Sequence, residues 1–112
     1  MGVTIYHNPR CSKSRKTLSL IEDQGISPTI IHYLETPPSA DELGEILKKM
    51  GKKPKDILRL KEAKEEGVPL DANDTDLVRA IVAHPRVLER PIVVNGNKAM
   101  MGRPPEAVLD IL

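Results

Sequence analysis

Val3-Thr4-Ile5-Tyr6-His7-Asn8-Pro9-Arg10-Cys11-Ser12-Lys13-Ser14-Arg15-Lys16 is the stretch on which the fold turns. Val3 to Tyr6 is a β-branched and aromatic run closed by His7-Asn8-Pro9, the composition of a buried strand that stops at a turn. Ser12 or Ser14 then caps a helix running to about Gln24, with Leu18 and Ile21 facing inward and Gly25 in the left-handed position that follows a helix C-terminus. Thr29 to Leu34 is a second β-branched run, and a strand that follows a helix so closely lies parallel to the first. The opening third therefore reads as βαβ.

Beyond it the chain turns helical. Ser39 and Glu42 have the spacing of a capping box, Leu43, Ile46, Leu47 and Met50 repeat on one face, and Gly51 closes the helix. A short turn is predicted at about Pro54 to Leu60, and the charged run Lys61 to Glu66 reads as a solvated helical face. A further helix spans about Thr75 to His84, with Leu77, Val78, Ile81 and Val82 inward. Pro91 to Val94 and Lys98 to Met101 flank Asn95-Gly96, which predicts an antiparallel hairpin with a type I′ turn. Pro104-Pro105 opens a last helix with Val108, Leu109 and Leu112 on its core side. The order predicts one α/β domain over residues 1–112: a four-stranded mixed sheet, βαβ plus ββα, with a helical insertion at about 39–84. That order is thioredoxin-like.

Composition narrows the function classes. At 112 residues the chain suits a single core, which must be aliphatic because Phe and Trp are absent. A net charge of +1 gives no global field for nucleic acid, and no run approaches the ~18 apolar residues of a membrane span. The one cysteine, Cys11, makes no internal disulfide and argues for a reducing compartment, so a cytoplasmic location is expected. Met1-Gly2 has Tyr6 where a myristoylation start needs Ser or Thr.

A lone cysteine is ordinarily a small buried hydrophobe. Here Arg10, Lys13, Arg15 and Lys16 crowd the thiol and no acid stands nearby, so the neighbours reverse that expectation. At a helix start Cys11 would feel the dipole and these cations, both of which favour the thiolate, a nucleophile. His7 would add positive charge or accept a proton, whereas His32 and His84 read as structural or surface residues. The step from Cys11 to Arg15 is too short for a phosphatase anion loop, and no ligand spacing predicts a metal. Cys11-Ser12-Lys13-Ser14 has instead the length of a Cys-x-x-Cys redox motif lacking its second thiol, so an oxidised Cys11 needs an external thiol such as glutathione.

Those residues, with Ile57-Leu58-Arg59, Glu89-Arg90-Pro91-Ile92-Val93-Val94 and Gly102-Arg103-Pro104-Pro105-Glu106, resemble the glutaredoxin-coupled arsenate reductases over nearly the whole chain and in order. The resemblance implies that Cys11 is the nucleophile, that Arg59, Arg90 and Arg103 hold the oxyanion, that Asn8 and Ser14 hydrogen-bond near the thiolate, and that His7 lowers its pKa. It also implies a cis proline at Pro91, no bound cofactor, glutathione as co-substrate and glutaredoxin as partner. Ser12 departs from the Gly that the best-known arsenate-reducing members carry there. Two other readings remain: a regulator that binds the RNA polymerase α subunit, and a thiol transferase acting on glutathionylated proteins.

Overall fold

The computed structural model describes residues 2–112; Met1, the first residue of the Met1-Gly2 start, lies outside the described residues. Two compact units divide the chain, one comprising residues up to Thr36 together with Arg90–Leu112, the other Pro37–Glu89.

The first unit is a four-stranded sheet in the order β2-β1-β3-β4. β1 (Val3–His7) lies parallel to β2 (Thr29–His32), with Ile5 opposite Ile30 and His7 opposite His32. β3 (Ile92–Asn95) runs antiparallel to β1, and β4 (Lys98–Met101) antiparallel to β3. α1 (Ser12–Asp23) and a 3-10 helix at Pro105–Ile111 pack together. Val3, Ile5, Ile21, Val93, Val108 and Ile111 form the core, with Leu18 and Met100 packed against it. Each such side chain contributes about 1.5–3 kcal/mol by leaving water. The period of two that sends Val3 and Ile5 into this core puts His7 on the same face, at the end where α1 begins.

Several local expectations are corrected. The cap of α1 is Cys11 itself, not Ser12 or Ser14, because Ser14 turns inward to bond His7 and Asn8. β2 stops at His32, where Glu35 and Thr36 N–H groups both donate to the His32 carbonyl and turn the chain. Asn95 pairs with Lys98, so the hairpin turn is Gly96-Asn97. Within this turn positive φ occurs at Gly96, the first central position, and not at Asn97, as in a type II′ turn rather than type I′. The last helix is 3-10, so its inward residues repeat every three positions as Pro105, Val108 and Ile111, leaving Leu109 exposed.

Arg90-Pro91 is cis, as the resemblance implies, and so is Arg103-Pro104. Gly102 immediately precedes the second of them. A Cβ there would stand 2.6 Å from Thr17 Oγ1 and 2.7 Å from Pro91 Cγ, so only glycine lets the chain leaving β4 pass this close to α1 and Pro91.

All elements of the second unit are helical. α2 (Ala40–Met50) has the expected capping box, Ser39 with Glu42, and ends at Gly51 with φ 66°. It packs on α4 (Asp74–Ala83), whose cap Asn73 accepts from the Asp76 N–H at 2.8 Å. Leu43, Ile46, Leu47, Leu77 and Ile81 are buried. α3 (Leu60–Glu65) does not present a wholly solvated charge run: Glu62 is only 9% exposed, drawn in by Arg59 Nε at 2.9 Å. No helix among the described residues is long and apolar enough to cross a membrane.

Candidate active site

The strand order brings four chain segments to one end of the sheet. The C-terminal ends of β1 and β2, the start of β3 and the exit of β4 meet there, because Tyr6 pairs with Ile92 and Ile92 with Met101. Cys11, half-buried, sits where β1 passes into α1.

The loop that carries it is held internally. Cys11 N–H donates to the Asn8 carbonyl at 3.0 Å, Arg10 N–H to Asn8 Oδ1 at 3.0 Å, and Arg15 Nη1 to the Pro9 carbonyl at 2.9 Å. Ser14, fully buried, accepts from the Asn8 N–H at 3.0 Å and shares a 2.6 Å hydrogen bond with His7 Nδ1. Asn8 and Ser14 thus spend their side chains on the loop.

The Cys11 side chain makes no regular capping bond, yet backbone N–H groups of the first turn lie close enough to act on its charge. Burial works to raise the thiol; the Ser14 N–H, the Arg90 guanidinium and the Lys13 N–H together outweigh it, and the pKa falls below the ordinary cysteine value. Arg103 Nη2 stands 3.9 Å from Cys11 Sγ, while its Nε donates to the Arg90 carbonyl at 2.8 Å, so one arginine's backbone aims the other's guanidinium. Arg90 Nε is buried with no partner, a charge-assisted donor awaiting an acceptor.

His7 is 4% exposed, and its pKa is pulled down by burial first, then by His32 and Arg15, which works against a positive charge on the ring. Its Nδ1 shares a hydrogen bond with Ser14, whose backbone N–H acts on the thiol. His32, read from sequence as structural, faces His7 with ring centroids 6.0 Å apart. The parallel register that pairs them was the signal available. Arg59 belongs to the second unit, with Nε 2.9 Å from Glu62 and 3.9 Å from Glu89, whereas Arg90 and Arg103 belong to the first.

A thiolate ringed by helix N–H groups and two guanidiniums is built to attack an anionic electrophile, since the same donors stabilise the sulfur before reaction and the oxyanion during it. The pH dependence of iodoacetamide labelling should therefore be displaced to lower pH than for free cysteine. Thiolate reacts and thiol does not, so the rate rises with pH to a plateau reached early. Arg90→Leu should move the midpoint back up; an unshifted wild-type midpoint would show that the loop leaves the thiol unactivated.

Comparison with known proteins bears on this geometry. An arsenate reductase of Haemophilus influenzae is 48% identical over 118 residues, covering 100% of both chains. An arsenate reductase of Escherichia coli K12 is 44% identical over 114 residues, covering 99% of this chain and 81% of that one. The solved arsenate reductase of Vibrio cholerae is 46% identical, superposes with a TM-score of 0.89 and covers 100% of this chain and 98% of its own. The thioredoxin-like architecture is thereby shown, and with the sequence model of the ArsC family matching residues 6–111, the chain belongs to the ArsC family.

Proposed function

We propose that this chain reduces arsenate to arsenite through a Cys11–arsenic adduct, with glutathione and glutaredoxin as external reductants. The observation that carries the reading is the pairing of an acidified, half-buried thiol with Arg103 Nη2 at 3.9 Å and the unpartnered Arg90 Nε. The names of the relatives above point the same way.

In this mechanism Arg90 and Arg103 hold the oxyanion, and Cys11 Sγ attacks arsenic. An S–As bond forms, an As–O bond breaks, and the leaving hydroxide takes a proton to become water. A glutathione thiolate then attacks Cys11 Sγ. The S–S bond forms, the S–As bond breaks with its electron pair on arsenic, and As(V) leaves as arsenite while two sulfurs are oxidised to a mixed disulfide. No second cysteine is present to resolve it, so a glutaredoxin thiol takes the glutathione and restores Cys11. Ser14, oriented by His7 and the Asn8 N–H, is the positioning residue of the thiolate loop.

The purified chain, given arsenate, glutathione and glutaredoxin, should form arsenite over many turnovers. Without glutaredoxin it should stop after about one turnover and show a glutathione adduct on Cys11 by mass. Absence of arsenite in the complete mixture would defeat the proposal. Capture of the RNA polymerase α subunit, or deglutathionylation without arsenate, would then replace it.

A further inference from the structure

The groups that act on Cys11 Sγ are donors that keep their protons. The N–H groups of Lys13 and Ser14 and the Arg90 guanidinium favour the thiolate, and Arg103 Nη2 stands 3.9 Å away. Amide and guanidinium protons do not leave at neutral pH, so these groups stabilise an anion without protonating it. Residues 8–16 bring no carboxyl group, and the buried His7 ring is engaged through Nδ1 with Ser14. The arrangement therefore suits a displacement in which the attacking and departing groups are both anions and no proton has to move.

The oxygen that leaves arsenate needs a proton, whereas sulfite leaves as a stable anion. Thiosulfate joins that leaving group to an outer sulfur open to attack, and its three sulfonate oxygens suit guanidinium forks as those of arsenate do. Arg90 Nε, buried without a partner, is a charge-assisted donor for one of them. We propose that the chain is also a sulfurtransferase, in which Cys11 takes the outer sulfur of thiosulfate while Arg90 and Arg103 hold the sulfonate oxygens. This activity uses the thiolate and arginines of the arsenate reading but neither arsenic nor glutaredoxin.

In the first step Cys11 Sγ attacks the outer sulfur in line with the S–S bond of thiosulfate. A new S–S bond forms with the electron pair of the thiolate. The old one breaks with its pair on sulfite, so the sulfonate sulfur is reduced and the outer sulfur stays on Cys11 as a persulfide anion. No second cysteine of this sequence can attack that persulfide, so it persists until an outside acceptor arrives. With cyanide as the acceptor, a C–S bond forms, the persulfide S–S bond breaks with its pair on Sγ, and thiocyanate leaves with its carbon oxidised. Cys11 returns as the thiolate, and atoms and charge balance without a further reductant.

The intact chain, incubated with excess thiosulfate, should gain the mass of one sulfur atom on Cys11, and cyanide should remove it. With both reagents present it should form thiocyanate over many turnovers, and Cys11→Ser should form none above the uncatalysed rate. Arg90→Leu and Arg103→Leu, each assayed above its own alkylation midpoint so that the thiol is ionised, should raise KM for thiosulfate about tenfold or more, with Arg103→Lys recovering part of the loss. Absence of the sulfur adduct, or thiocyanate formation unchanged in Cys11→Ser, would overturn the proposal. So would arginine variants that keep the parental KM, since a bare thiolate would then be reacting without the oxyanion site. Arsenite without thiocyanate keeps the mechanism above and loses this activity; thiocyanate without arsenite does the reverse.

Discussion

Cys11→Ser is expected to lower arsenite formation by at least about 1000-fold, the scale on which loss of a nucleophile is felt. A serine hydroxyl is not ionised at neutral pH, and oxygen cannot carry the chemistry onward, because the second step needs a sulfur that gives up its bond to arsenic and forms a disulfide. Stability should move the other way. Cys11 is the N-cap of α1 with extended backbone, φ −94° and ψ 122°, and serine is among the best residues for that position. The variant should melt no lower than the parent, with a gain of up to about 1 kcal/mol where the hydroxyl reaches the free N–H groups of the first turn. Arsenite formation within tenfold of the parent would remove Cys11 from the mechanism. A large fall in melting temperature would instead show the thiol packed as core.

Arg103→Leu should reduce kcat/KM for arsenate about 100- to 1000-fold, as loss of one charge-stabilising donor commonly does. Arg103→Lys should recover part of this, since it restores the charge but not the planar fork. The stability cost is expected to be about 0.5–1.5 kcal/mol, from loss of the bond that Arg103 Nε donates to the Arg90 carbonyl. A second readout separates chemistry from structure. Arg103 Nη2 stands 3.9 Å from Cys11 Sγ, so the pH midpoint of its alkylation should rise in Arg103→Leu as it does in Arg90→Leu, and Arg103→Lys, which keeps the charge, should bring it part of the way back. Collapse of the fold in Arg103→Leu, or a kcat/KM for arsenate that stays unchanged, would mean that Arg103 supports the loop rather than the oxyanion.

Local signals were readable where one short-range force dominated. The β-branched runs, the capping box of Ser39 with Glu42 and the glycine stops placed most elements, because each is decided within a few residues. Reading failed where neighbours compete for the same group. Ser14 would cap a helix in isolation, but His7 and the Asn8 N–H claim its hydroxyl in the fold. Glu62 looks solvated within its charged run until Arg59 draws it inward. Asn95-Gly96 is the stronger isolated turn signal, yet the pairing of β3 with β4 moves the turn by one residue.

By itself, the sequence determined that a single thiol stands among cations at a strand-to-helix junction and that no second cysteine of this sequence can pair with it, since both follow from residue identity and order. Only the tertiary structure decided what surrounds that thiol. Arg103 reaches Cys11 across 92 residues of chain because the strand order carries the exit of β4 to the end of β1. Burial, which no local pattern expresses, lowers the pKa of His7 and sets its ring against the Ser14 hydroxyl.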